Sequence, residues 1–396
     1  RGKRLPLLQE NVKCGNSLID DPSVAGDKAF RWEEEFREAM SEGGFDVVIG
    51  NPPYVNIKEI PKKDKNFYVS NYKFAIKQFD LYMLFLEKSY SLLRENGYFG
   101  FIIPDAFLSR SSVIEFRKFL TENTTIKSLF KVNEVFEEPS VASLVIIFQK
   151  KAPNNESIIN FVKSPSLNEV YLGNYSKKDV PQFSIQKIPE NRFVPISIKQ
   201  FSILEKIMNR EQFENLENFS FIFRGEELGK DNEKIINSKD GNLPFLAGED
   251  IAKFTINFNN RYISKQAIEK NISNYLKPKI MVRQVGSKIN ATLDEKGKYI
   301  TIQSIYNIII NKKQINNKYV LGIINSKLIN FYYKLIFNSK QLFPRILLEN
   351  LKQIPIKVVP ESEQQPLINL VDNMLNLHKR LNEFGDKLTD ERAKIE

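Results

Sequence analysis

Residues 45–54 read Phe-Asp-Val-Val-Ile-Gly-Asn-Pro-Pro-Tyr. The first six form a nearly continuous apolar run, too short for a helix and closed by a glycine and two prolines. Such a run reads as a buried parallel strand feeding a loop. The chain alternates around it. A short strand at 11–14 ends in Gly15-Asn16-Ser17-Leu18, and a charged helix over 27–41 stops at Gly43-Gly44. A basic, helix-poor stretch covers 58–77, and then Leu81 to Leu93 places apolar residues at helical spacing. Tyr98–Ile103 is the next buried strand, closed by Pro104. A helix over 114–120 leads to strands at about 126–132 and 141–148. Strand–helix–strand alternation argues a doubly wound α/β layer, in which ligands bind at the carboxyl ends of strands. Asn16, Asn51 and Asp105 each follow a strand directly, so all three can lie on one rim.

The bulk numbers exclude several classes. Of 396 residues, 42% are hydrophobic and 27% charged, which suits a soluble globular chain and not a disordered one. No apolar run approaches the ~20 residues of a spanning helix, and no secretion signal is visible; a cytoplasmic protein without a membrane partner is expected. Cys14 is the only cysteine and His378 the only histidine. An internal disulfide, a cysteine zinc site and a histidine-based nucleophile therefore lack their parts, and no metal site is expected. Cys14 reads as a small buried side chain on a strand and His378 as a surface residue of a helical tail.

Charge is divided unevenly. Residues 1–155 carry 22 Lys and Arg against 21 Asp and Glu, and residues 156–396 carry 36 against 27. A near-neutral first part and a basic second part fit a catalytic region joined to a polyanion-binding one. Composition turns polar near 150–155. Beyond it come many short β-like runs, and 362–394 reads as a long amphipathic helix or helix pair. The expected domains are 1–153, a mixed α+β domain over 154–358, and a helical segment over 359–396.

Asn51-Pro52-Pro53-Tyr54 suits one chemistry, methyl transfer to an exocyclic amine. The nitrogen lone pair of such an amine is delocalised into the ring, so the amine is a poor nucleophile. Acceptors aimed at its two hydrogens pull it toward tetrahedral geometry. Asn51 offers a side-chain carbonyl, and Pro52 a backbone carbonyl in a stretch stiffened by Pro53. Tyr54 offers a flat face to a base lifted from its stack. An ordinary loop after a strand is the competing reading.

The run FDVVIGNPPY resembles the catalytic motif of adenine-specific (N6) DNA methyltransferases of restriction-modification systems, in the type II and IIG group whose target-recognition domain follows the catalytic one. Asp80-Leu81-Tyr82-Met83-Leu84-Phe85-Leu86-Glu87 is similar to that family's next helix, which implies Phe85 near the adenine of S-adenosylmethionine. Gly100-Phe101-Ile102-Ile103-Pro104 with Phe107-Leu108 resembles the following strand. Glu134-Val135-Phe136 with 141–150 resembles the motif whose aromatic stacks on the flipped base, which implies Phe136 opposite Tyr54. Gly15-Asn16-Ser17-Leu18 resembles the segment that meets the cofactor's adenine, with Asn16 where many relatives have Asp. The family's glycine-rich cofactor loop has no counterpart here, and the chain opens Arg1-Gly2-Lys3. The resemblance therefore implies a partial Rossmann-like core, an incomplete cofactor site, and a piece of a longer polypeptide that binds cofactor poorly by itself. Upstream catalytic or nuclease domains, continuous with a monomeric chain, are part of that expectation.

The later region resembles the recognition domains of the same family. Arg224-Gly225-Glu226-Glu227-Leu228-Gly229-Lys230 sets a flexible turn between two cations. Arginines contact guanine edges and lysines phosphates, so Arg224, Lys230, Arg283, Lys288 and Arg345 are the candidates for binding double-stranded DNA. The aromatics Phe331, Tyr332 and Tyr333 read as core, and the terminal helix as packed against another domain. Two other readings stay open: a protein-glutamine methyltransferase, which shares the tetrapeptide, and a DNA-specificity module with a non-catalytic α/β layer.

Overall fold

The computed structural model describes residues 11–384 apart from 77, 133–141, 165, 209–210, 230–231 and 338–343. The chain forms two compact units, Arg1–Ser202 and Ile203–Glu396. The first is a mixed α/β unit on a six-stranded sheet. Its strands are β1 (Phe45–Gly50), β2 (Leu93–Pro104), β3 (Thr125–Val132), β4 (Ser143–Gln149), β5 (Ile158–Ser164) and β6 (Ser176–Pro181), in the order β1-β2-β4-β3-β5-β6. β1 is parallel to β2 and β3 to β5, while β4 runs antiparallel to both β2 and β3. The carboxyl ends of β1, β2, β3 and β5 therefore share a rim with the amino end of β4. The helices that matter for this rim are α1 (Lys62–Asn71), α2 (Leu81–Leu92) and α3 (Ile114–Asn123).

Several expectations give way. β1 is not buried: Val47 is 56% and Ile49 77% exposed, because β1 is an edge strand among the described residues. Residues 12–14 form no strand, since only Asn16 finds a bridge, to Ala29, and Cys14 is exposed. The helix expected over 27–41 is broken into Gly26–Lys28, Trp32–Glu35 and Arg37–Ser41. The stretch read as helix-poor contains α1, held by a few aromatic anchors: Tyr68 is buried and the Tyr72 hydroxyl donates to the Leu18 carbonyl at 2.7 Å. The domain break comes later than 153, because β5 pairs with β3 and β6 with β5, extending the first sheet.

Arg117 on α3 is fully buried and ties this unit together. Its guanidinium donates to the carbonyls of Phe107 (3.0 Å), Arg110 (2.8 Å), Glu190 (2.9 Å) and Asn191 (3.1 Å). Glu190 and Asn191 hold φ angles of 59° and 48°, a left-handed conformation costly for residues with side chains. Burial, with Arg192 next, pushes the Arg117 pKa down to about 10.

The second unit centres on an antiparallel sheet of β7 (Ser220–Arg224), β11 (Lys279–Arg283), β12 (Ala291–Asp294) and β14 (Ile305–Ile310), ordered β12-β11-β14-β7. A smaller sheet holds β8 (Ile235–Ile236), β9 (Leu243–Leu246), β10 (Tyr262–Ile263) and β13 (Ile300–Thr301). Phe245, Leu246, Ile251, Tyr275, Met281 and Ile305 share its core. Three helices follow: α4 (Asn317–Asn325), α5 (Lys327–Ile336) and α6 (Glu361–Phe384). Tyr332 and Tyr333 are buried, as core aromatics should be. α6 packs within its own unit, and a Cβ on Gly322 of α4 would lie 2.9 Å from Val371. His378 on α6 is half-buried and faces Phe254, with ring centroids 6.3 Å apart. No helix among the described residues is long and apolar enough to cross a membrane.

Gly225 is a wedge and not a flexible turn. Its missing Cβ would lie 2.2 Å from the Thr301 carbonyl oxygen, and the Glu226 amide donates to that same carbonyl at 2.7 Å. Glu226 is buried and accepts from the Tyr275 hydroxyl at 3.0 Å and the Glu269 amide at 2.9 Å.

Two stability outcomes follow from this packing. Arg117→Met removes the guanidinium donor from four carbonyls, that of Phe107 fully buried and the others partly, and should destabilise the first unit by about 3 kcal/mol, read as a lower urea midpoint. Gly225→Ala should lower the midpoint of the second unit, by about 2 kcal/mol or more for a clash the backbone cannot relieve. An unchanged midpoint in either would contradict the packing described.

Candidate active site

Asn51 begins the loop at the carboxyl end of β1. It is exposed, and its side chain makes no hydrogen bond among the described residues. Pro52 beneath it is buried, Pro53 is exposed, and Tyr54 is half-buried. The Tyr54 ring meets Tyr82 of α2 edge-on, with centroids 6.4 Å apart. Burial pushes the Tyr54 phenol pKa up, and Ser143 at the start of β4 offsets this in part. An exposed polar tip thus stands on a packed base.

The far side of the loop is latched to the start of α2. The Leu81 amide donates to the Val55 carbonyl at 2.8 Å, and the Ile57 amide to the Phe79 carbonyl at 3.2 Å. Asn56 Nδ2 donates to Asp80 Oδ1 at 2.8 Å, and Arg110 Nη1 to Asp80 Oδ2 at 2.7 Å. An Asp directly before a helix reads as its N-cap, yet the Asp80 side chain caps nothing. Both of its oxygens serve the loop and the β2 exit instead.

The rim gathers further groups. Lys131 of β3 pairs with Asp105, and the Asp105 amide donates to the Ala142 carbonyl at 3.0 Å. Asn51, Tyr54, Asp105, Lys131 and Ser143 therefore belong to one end of the sheet. Phe136 lies outside the described residues, in the segment joining Val132 to Ala142. Ser143, Lys131 and Arg110 carried no sequence signal, because only the placement of β4 between β2 and β3 makes them neighbours.

Asn16 is not an isolated rim residue. Its Oδ1 accepts from the Leu18 amide at 3.1 Å, and its side chain lies against the Tyr68 hydroxyl. The amide oxygen has a second lone pair, suited to an adenine amino group. Phe85 is half-buried on α2, so it can lend part of a ring face. These two residues fit the nucleoside end of a cofactor; a cradle for its other end is not evident among the described residues.

In the second unit, β-register brings three of the candidate arginines together. Tyr306 of β14 pairs with Arg224 of β7, and Arg283 of β11 pairs with Ile305. Val285 bridges to Arg345. The Tyr306 hydroxyl accepts from Gln284 at 2.9 Å and donates to the Ile346 carbonyl at 3.0 Å. Burial raises its pKa, while Gln284, Arg224 and Arg345 each oppose that rise. Arg224 is partly committed, donating to the Gln303 carbonyl at 3.2 Å. Lys288 is exposed elsewhere in the unit, and Lys230 lies outside the described residues.

Known proteins match both halves of this arrangement. Residues 3–136 match the Eco57I restriction-modification methylase model, and residues 243–356 the TaqI-like C-terminal specificity domain. The putative type II restriction enzyme and methyltransferase RM.MjaORFECS2P of Methanocaldococcus jannaschii is 29% identical over 92% of this chain and 31% of its own length. The type II restriction enzyme and methyltransferase RM.Eco57I of Escherichia coli is 35% identical over 42% of this chain and 17% of its own length. The type II methyltransferase M.HincII of Haemophilus influenzae is 26% identical, over 59% of this chain and 49% of its own length. The chain thus spans less than half the length of each. Among solved structures, the type IIG restriction endonuclease BpuSI gives only a loose likeness, with a TM-score of 0.37 and 14% identity over 83% of this chain and 49% of that one. Residues 3–136 are thus similar to the Eco57I restriction-modification methylases, and residues 243–356 to TaqI-like C-terminal specificity domains.

Proposed function

We propose that the protein methylates the exocyclic amino group of an adenine within a specific double-stranded DNA sequence, and that the first unit is the partial Rossmann-like part of the catalytic core. The observation that carries this reading is the exposed, uncommitted amide of Asn51 held over a buried Pro52 and a half-buried Tyr54 packed edge-on against Tyr82. S-adenosylmethionine, when bound, supplies an electrophilic methyl group. The residues that would hold its adenosine end are Asn16 and Phe85.

The chain's own residues do the rest. Asn51 Oδ1 and the Pro52 carbonyl accept from the two amine hydrogens, which localises the nitrogen lone pair without a prior deprotonation. Tyr54 gives one face to the extruded base and Phe136 the other, offsetting part of the cost of unstacking. Asp80 acts at one remove, keeping residues 55–57 against α2 so that the carbonyls stay aimed. The second unit holds the duplex, with Arg224, Arg283 and Arg345 at base edges and Lys230 and Lys288 at phosphates. Two of the relatives carry "restriction enzyme" in their names, which supports a nuclease partner activity for the protein as a whole.

In the full-length protein, Asn51→Ala should lower transfer of labelled methyl groups to duplex DNA by roughly 100-fold or more, the usual loss for a transition-state hydrogen-bond partner. Duplex affinity in a filter or anisotropy assay should stay unchanged; undiminished methylation would defeat the reading. Asp80→Ala should cost about 10- to 100-fold in turnover through misplaced carbonyls, together with faster amide exchange at 55–57. Asp80→Asn, which keeps an acceptor for Asn56, should fall between the two.

A further inference from the structure

Lys253, Lys288 and Lys327 come from three separate elements of the second unit, and a knot of hydrogen bonds around Ala291 draws those elements together. Lys253 and Phe254 form the tight turn between the paired strands Ile251–Ala252 and Thr255–Ile256, with Phe254 at a φ of 62°. The Phe254 amide donates to the Ala291 carbonyl at 2.9 Å. That carbonyl also accepts from Asn325 Nδ2 at 2.9 Å, while the Ala291 amide donates to Asn325 Oδ1 at 3.1 Å. Asn325 is buried at the end of α4. One turn into α5, Asn330 Oδ1 accepts from the Ile289 amide at 2.7 Å. Each lysine is thus next to, or within three residues of, a group bonded into this knot.

We propose that Lys253, Lys288 and Lys327 form one phosphate-binding site, which takes a backbone phosphate of the DNA held by this unit. The part concerning DNA rests on the function proposed above; the site itself does not. All three lysines are exposed, and none makes an ion pair among the described residues. Lys253 is held below its ordinary pKa first by burial, then by the charges of Lys327 and Lys288, with no carboxylate counted against them. Of the three acids flanking the neighbouring cavity with Phe254, Asp294 and Glu295 are paired with Lys279 and Lys318, and Glu383 is exposed near the end of α6. Three ammonium groups that repel one another and lack a carboxylate partner among the described residues become favourable neighbours when a bridging phosphate lies between them; Lys253 itself lies over the Phe254 ring, 5.5 Å from its centroid. This separates the cluster from Arg224, Arg283 and Arg345, whose planar donors suit base edges. The lysines position the duplex without reading its sequence.

The test uses the 396-residue chain and a triple variant, Lys253→Gln with Lys288→Gln and Lys327→Gln. Duplex binding is followed by fluorescence anisotropy across a salt series, and tripolyphosphate binding by thermal shift. The expected result is a salt slope smaller by about 1, at roughly 0.9 for the one phosphate contacted. Affinity should fall equally for all duplex sequences, and Arg at the three positions should restore the slope. An unchanged slope with an unchanged tripolyphosphate shift overturns the site. An unchanged slope with a lost shift keeps a phosphate site and removes the DNA backbone as its ligand. If the unaltered chain binds no duplex at all, the DNA function fails separately; the tripolyphosphate shift, present in that chain and absent in the variant, then still supports the site, and its absence from both overturns it.

Discussion

The carboxylate of Asp80 is the tie on which the shape of the Asn51–Tyr54 loop depends. One oxygen takes Asn56 and the other takes Arg110, so a single side chain joins the loop after β1 to the exit of β2. The bond to Arg110 is charge-assisted and stronger than a neutral one, although Arg110 is partly exposed and its charge is screened. The neighbouring backbone bonds, Leu81 to Val55 and Ile57 to Phe79, turn the contact into a short ladder. Arg117 then holds the Arg110 carbonyl from below. Loop, helix and strand exit are therefore fixed in series, and the exposed amide of Asn51 projects from a rigid base.

The central motif could be read from residue order because its physics is local. A short apolar run ended by Gly50, Pro52 and Pro53 has few alternatives to a strand and a stiff loop. α2, α3, β2, β3 and β4 were legible for the same reason, each having a clear apolar period or run. Failures came where partners decide. The exposure of Val47 and Ile49 depends on which strand lies beside β1, and no run of six residues encodes that. α1 has few apolar residues, and its helix rests on tertiary anchoring through Tyr68 and Tyr72. The Asp80 side chain, directly before α2, caps nothing and is taken up by Asn56 and by Arg110, 30 positions away. The boundary near 153 was drawn from composition, whereas β5 and β6 joined the first sheet by strand pairing.

In the second unit the sequence showed an excess of positive charge but not its arrangement. Arg224 and Arg283 are separated by a long stretch of chain and meet because β7 and β11 flank β14. Gly225 was taken for flexibility, and only the Thr301 carbonyl against its α-carbon reveals the opposite. The same register sorts basic residues into arginines near Tyr306 and lysines around Ala291. The proposed division between base reading and phosphate holding rests on that placement, which a charge count does not show.

The account stands or falls on which atom receives the methyl group. The direct measurement is to incubate the full-length protein, with its upstream part restored, with a duplex and methyl-labelled S-adenosylmethionine, digest the DNA to nucleosides, and separate them by chromatography with mass detection. Methylation of adenine predicts label in N6-methyl-2′-deoxyadenosine from the duplex alone. Label in a methylated cytosine, or in protein glutamine with none in DNA, would contradict it.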